Sequence, residues 1–186
     1  MKQNKHALLK ELYLIAEDAL NTAQSYKNLS EQTLNYKPNP ESWSILECLE
    51  HLNLYGDFYI PAIEKSILNA PTFHGPEMFK PGLFGNYFAN MMKGKNGKIK
   101  KIKSPKDKNP VNSNLNIGVI DRFIKQTESL KHLLKQAEKV SLNKARTPIS
   151  ISNLIKLKLG DTFRFYVYHI ERHMRQSEKI KTHNNL

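Results

Sequence analysis

Cysteine is nearly absent from this chain. Cys48 is the only one among 186 residues, so no intramolecular disulfide is possible and no cysteine-based zinc cluster can form. Any metal site must be built from His, Asp or Glu. Long hydrophobic runs are missing too: no window approaches the roughly 18 uninterrupted apolar residues that a membrane-spanning helix needs. The segment Met1 to Lys10 carries charge but no apolar stretch leading to a cleavage site, which makes the cytoplasm the expected location. Acidic residues are scarce relative to basic ones, 17 against 29, and leave a formal charge of +12. That excess is local. Between Lys93 and Lys108 eight lysines face one acid, Asp107, a charge of +7 in one short segment, and the rest is only mildly basic. The lysine run has only Ile99 and Ile102 among its charges, with no aromatic residues for base stacking and no binding motif, so nucleic acid is a poor fit and a solvated, mobile loop is expected at 93–108.

What is present is amphipathic periodicity. An apolar content of 39% suffices for one substantial core, and the length fits a single domain spanning 1–186. Leu8, Leu12, Ile15, Ala16, Ala19 and Ala23 recur at steps of three and four, predicting a first helix from about Asn4 to Lys27. Pro38 and Pro40 interrupt the chain. Ser44 then stands three residues before Glu47, ahead of Leu46, Leu49 and Leu52, a capping-box pattern that starts a second helix near Ser44. This helix should reach about Asn69, with a kink at Pro61. From Pro71 to Asn114 the pattern breaks down, except for a possible short helix around Met78 to Met92; so long an excursion suggests a crossover connection or a lid. Ile117, Ile120, Ile124, Thr127, Leu130, Leu134 and Ala137 give a third long helix, Leu115 to Val140. Thr147 to Leu159 reads as an extended or irregular lead-in, and Asp161 as the N-cap of a last helix from Thr162 to about Lys179. Four long amphipathic segments without convincing strand alternation predict an all-α four-helix bundle, with a long crossover between the second and third.

His169 and His173 are four residues apart, about 40° around a helix axis, so both imidazoles leave one face. They share that sector with Phe165 and Gln176. His51 holds a comparable position on the second helix, with Glu47, Tyr55 and Phe58 on its face. Two histidines at this spacing are weak grounds for a ligand pair; a third ligand strengthens them. Three neutral imidazoles with a position left open describe a catalytic type of metal site. Glu47 or Glu50, and Glu171, are candidates for orienting an imidazole through its other nitrogen. Tyr55, Phe58 and Phe165 could wall a pocket, Gln176 could join them, and Arg172 could bind an anionic group of a substrate. Each of these has a plainer reading as surface charge or core. Cys48, three residues before His51, fits a small buried thiol.

The segment Trp43-Ser-Ile-Leu-Glu-Cys-Leu-Glu-His51-Leu52 resembles the second-helix motif of the DinB/YfiT-like superfamily, and Gly160-Asp-Thr-Phe-Arg-Phe165 followed by His169-Ile-Glu-Arg-His173-Met-Arg-Gln176 resembles its last-helix motif. The order and spacing match, and the likeness covers nearly everything but 71–114. It implies a four-helix bundle, often a homodimer, holding one zinc or nickel ion on His51, His169 and His173. It also implies either metal-dependent hydrolysis or S-transfer from a low-molecular-weight thiol such as bacillithiol or mycothiol. The alternatives are a metal-binding bundle without activity, or a binding protein that uses the lysine loop on an anionic partner. The lysine loop is a departure from the family pattern and leaves the substrate class open.

Overall fold

In the computed structural model, which describes residues 2–94 and 103–183, the chain is mostly helical. Six α-helices occur among the described residues: α1 Lys5–Tyr26, α2 Glu31–Asn35, α3 Ile45–Leu68, α4 Leu83–Lys93, α5 Gly118–Gln136 and α6 Leu159–His183. α1, α3, α5 and α6 are the four long helices expected from periodicity. α1 packs on α5 and α6, and α3 on the same two, so all four contribute to one core. Their starts follow from local chemistry. The Asn4 side chain accepts from the Ala7 amide to cap α1. Ser44 and Glu47 close a reciprocal capping box on α3, at 3.2 and 2.8 Å. α3 runs through Pro61 to Leu68. α3 and α5 approach closely at Gly56, where a Cβ would lie 2.0 Å from the Gln126 Oε1.

The short strands form two antiparallel pairs. Gln3–Asn4 (β1) pairs with Met78–Phe79 (β2), and Arg146–Ile149 (β3) pairs with Ser152–Lys158 (β4). Of the extended or irregular lead-in expected over Thr147 to Leu159, the second pair bears out the extended reading, and it corrects the expectation of no strand alternation. Thr147, Ile149 and Leu157 turn inward while Arg146, Lys156 and the half-buried Lys158 face out, so the alternation exists but is masked by the exposed apolar Ile151, Leu154 and Ile155. A second correction concerns Asp161. β4 runs straight into α6, which therefore starts at Leu159, and Asp161 sits inside the first turn. Its buried carboxylate accepts from the Gly82 amide at 2.8 Å and pairs with Arg164, tying α4 to α6 instead of capping α6. The helix foreseen around Met78 to Met92 is real but shorter at its start, since Met78 and Phe79 belong to β2. No described helix is long and apolar enough to cross a membrane.

The lysine-rich segment is held at both ends. Lys93 closes α4, its ammonium within 3.0 Å of Glu11 and over the Tyr168 ring. Lys106–Lys108 forms a 3-10 turn, with Lys108 half-buried. This corrects the picture of a run that is mobile throughout; its central part, 95–102, lies outside the described residues.

Candidate metal centre

α3 and α6 bring His51, His169 and His173 together. The last two emerge from one face of α6 because four residues advance the helix by just over one turn, and His51 meets them from α3. All three are buried, and one nitrogen from each lies within 4.8 Å of the others. The His51 and His169 Nε2 atoms are 3.1 Å apart. Two nitrogens bound to one tetrahedral ion at about 2.0–2.1 Å are separated by about 3.3 Å, so the pair already stands at ligand spacing.

Hydrogen bonds at the far side of two of the rings decide what those rings turn to the centre. The Nδ1 of His51 lies 2.5 Å from the Lys108 carbonyl, which can only accept. Neutral His51 must therefore carry its proton on Nδ1 and present the Nε2 lone pair inward. The Nδ1 of His173 lies 3.0 Å from the Gln176 Oε1, which fixes the same tautomer. The Nδ1 of His169 is buried without a hydrogen-bond partner. Lone pairs from His51 and His173 thus face one centre; a His169 Nε2–H is within reach of the His51 lone pair, and a shared cation could take the place of that proton.

Electrostatics reinforce this. Burial pushes the His51 imidazolium down to about 4, against the hydrogen bond to Lys108, which works the other way. His169 and His173 are pushed well below the ordinary histidine value, first by burial; His173, His51 and Arg172 then act on His169, and His51 and Arg172 on His173, against its hydrogen bond to Gln176. At neutral pH the three rings are uncharged, the form that ligates. The donor set, neutral nitrogens without thiolate, fits a borderline divalent ion.

Aromatic rings enclose the cluster. Tyr55 meets His51 and His169 edge-on with centroids 5.0 and 4.6 Å away, Phe165 stacks on His169 at 5.8 Å, and Trp43 stacks on His173 at 5.5 Å. Trp43, directly before the N-cap of α3, and the Lys108 carbonyl are site components that residue-type reasoning missed. Phe58 is not at the centre: it packs on Tyr59 and lines a separate cavity further along α3.

None of the three glutamates considered as imidazole partners makes a hydrogen bond to a histidine. Glu47 accepts from the Ser44 and Asn112 amides and from Lys37, so its carboxylate is filled by the capping box and by the segment after Lys108. Glu50 receives both oxygens' worth of bonds from Arg122 and Asn53, locking α5 to α3. Glu171 pairs with Arg175 one turn along α6. Cys48 is fully buried and its thiol is pushed up by burial, which leaves it protonated and inert.

A family model described as the DinB superfamily matches residues 16–177. No match was found among curated proteins or among solved structures. The matched span takes in all three histidines and most of the chain, and the chain therefore belongs to the DinB superfamily.

Proposed function

We propose that His51, His169 and His173 hold one zinc or nickel ion per chain and that the protein is a metal-dependent enzyme acting on a small thiol or on water. The reading includes the overall frame: a four-helix bundle of α1, α3, α5 and α6, with 69–117 as the crossover between its second and third members, working as a homodimer. The observation that carries it is the convergence of inward lone pairs on a buried centre without a carboxylate among them. A divalent ion bound there supplies the positive charge that makes a thiol or a water nucleophilic at neutral pH.

The chain's own residues supply the rest. The Lys108 carbonyl and Gln176 hold two rings in the ligating tautomer, so no proton has to leave before an ion can bind. Trp43, Tyr55 and Phe165 keep the surroundings dry, which strengthens every charge interaction at the centre. Burial pushes the Tyr55 phenol up to about 12, so it remains a hydrogen-bond donor at neutral pH. The Arg172 charge is felt by all three histidines and is suited to the carboxylate of a cellular thiol.

The test is to load the purified protein with zinc or nickel and mix it with a chlorinated nitroarene and a panel of low-molecular-weight thiols, following conjugate formation. Conjugation faster than the uncatalysed rate, lost in His51→Ala and retained in Cys48→Ser, supports S-transfer. Metal-dependent ester cleavage without conjugation moves the assignment to hydrolysis. Silence in both assays with metal bound refutes the enzyme reading.

A further inference from the structure

A cavity lies away from the histidines. It has a volume of about 880 Å³, within the range of small-molecule sites, and none of the three histidines lines it. One wall is the second half of α3, and the others are 69–73 and 141–148 with Lys156 of β4. These walls are fastened together. The Ser66 hydroxyl donates to the Arg146 carbonyl at 2.9 Å, the Phe73 amide donates to the Lys139 carbonyl at 2.8 Å, and Thr72 bridges Val140.

Its chemistry is two-sided. Phe58, Pro61, Phe73 and Pro148 give it apolar surface. Around that surface stand Lys65, Lys144, Arg146 and Lys156, and Asp57 is the only acid. Asp57 is already committed to α5, accepting from Arg122 and, at 2.9 Å, from Gln126. Among the described residues no carboxylate pairs with Lys65, Lys144 or Lys156, and the Arg146 guanidinium bonds only the Asn143 carbonyl, at 3.1 Å. Four cations around an apolar basin without compensating acid suit a ligand that brings an apolar body and a negative head together.

We infer that this cavity is a second ligand site, separate from the histidine centre, for a small soluble organic anion with an apolar body of one or two rings or an equivalent alkyl chain. The apolar part lies on Phe58 and Phe73, and the anionic head is taken by Lys65, Lys144 and Arg146. The inference does not depend on the metal reading, because no residue is shared with the centre.

The probe is 2-naphthalenesulfonate, which neither titrates near neutrality nor hydrolyses, added to the full-length protein and followed by calorimetry and by amide chemical shifts. One saturable site is expected, at least tenfold tighter than for uncharged 2-naphthalenemethanol or for inorganic sulfate, with shifts confined to 57–73 and 141–156. The Lys65→Gln/Lys144→Gln double variant should weaken it at least tenfold, and Ala62→Phe, which places a ring in the basin, should abolish it; metal content should be unchanged in both. Equal binding of the neutral analogue, undiminished binding in the double variant, or shifts centred on His51 and His169 would overturn the inference.

Discussion

Three buried neutral histidines make the metal-free protein sensitive to mild acid. Their folded-state pKa values lie below the ordinary 6.5, His51 at about 4 and the other two well down, chiefly through burial. The unfolded chain takes up protons near 6.5 that the folded chain refuses, so stability must fall as pH drops through that value and rise again with pH. At pH 5.5 an imidazole with an unfolded pKa of about 6.5 that stays neutral when folded costs RT ln(1 + 10), about 1.4 kcal/mol; three cost about 4 kcal/mol, whereas at pH 8 the cost is near zero. That is a large share of the roughly 5–15 kcal/mol of a typical domain. Glu11 and Glu77, whose carboxylates are held below the ordinary value, lose their contribution only below about 4.5, outside this window. The assay is urea unfolding of chelator-treated protein at pH 8 and 5.5 at constant ionic strength. The variant His51→Gln/His169→Gln/His173→Gln serves as control and should show the slope largely removed. A loss below about 1.5 kcal/mol, one proton's worth, or an equal loss in the control, would refute the placement of the three rings in one dry centre.

Further outcomes are expected. Zinc at a hundredfold excess over its dissociation constant should stabilise the protein by about 2.7 kcal/mol, and His169→Ala/His173→Ala should abolish both the shift and the bound metal. Because burial holds the ligands neutral to well below 6.5, metal should stay bound near pH 6 and dissociate only in stronger acid, in contrast to the ordinary histidine value that sequence reasoning would use; a metal-content titration decides. Glu47→Ala removes the acceptor of two backbone amides in a buried setting and should cost about 2–4 kcal/mol by thermal unfolding, with Glu47→Gln costing less. Cys48 should resist a water-soluble thiol reagent in native protein and react once at denaturing urea concentrations.

The long helices were legible because each carries a sustained three-and-four repeat and a recognisable start. The capping box at Ser44 is the clearest instance, with both of its hydrogen bonds present. The histidine trio was legible for the same reason: positions four apart on one helix must share a face, and the DinB-like motifs pointed to the third histidine. The hairpin was not, since the apolar but exposed Ile151, Leu154 and Ile155 mask the two-residue period of its inward residues Thr147, Ile149 and Leu157. Glu47 shows a different failure. The carboxylate that reaches back to the Ser44 amide in the capping box is not free to turn toward His51 four residues on, so the helix-start reading already disfavoured the imidazole-partner reading of the same residue. Lys108 could not be found from residue types at all, because its contribution to His51 is a backbone carbonyl, which every residue possesses.

The positions of the glutamates bear on the chemistry of the site. With Glu47, Glu50 and Glu171 bonded to Lys37, Arg122 and Arg175, no hydrogen bond to a histidine comes from these three carboxylates, and the Arg172 charge acts on all three rings. The two ring partners that are present, the Lys108 carbonyl and the Gln176 amide oxygen, are neutral. Neutral partners orient an imidazole without adding negative charge to the centre, unlike the carboxylate partners of many metal-binding histidines. A buried divalent ion on three such ligands would remain fully charged, and the least costly compensation would be a ligand that arrives as an anion or becomes one on losing a proton. A thiol meets that requirement more readily than water, since its pKa of about 8.5 lies far closer to neutrality than that of water at 15.7. If a divalent ion is held there, as proposed, the absence of a glutamate bonded to the rings would favour S-transfer over hydrolysis.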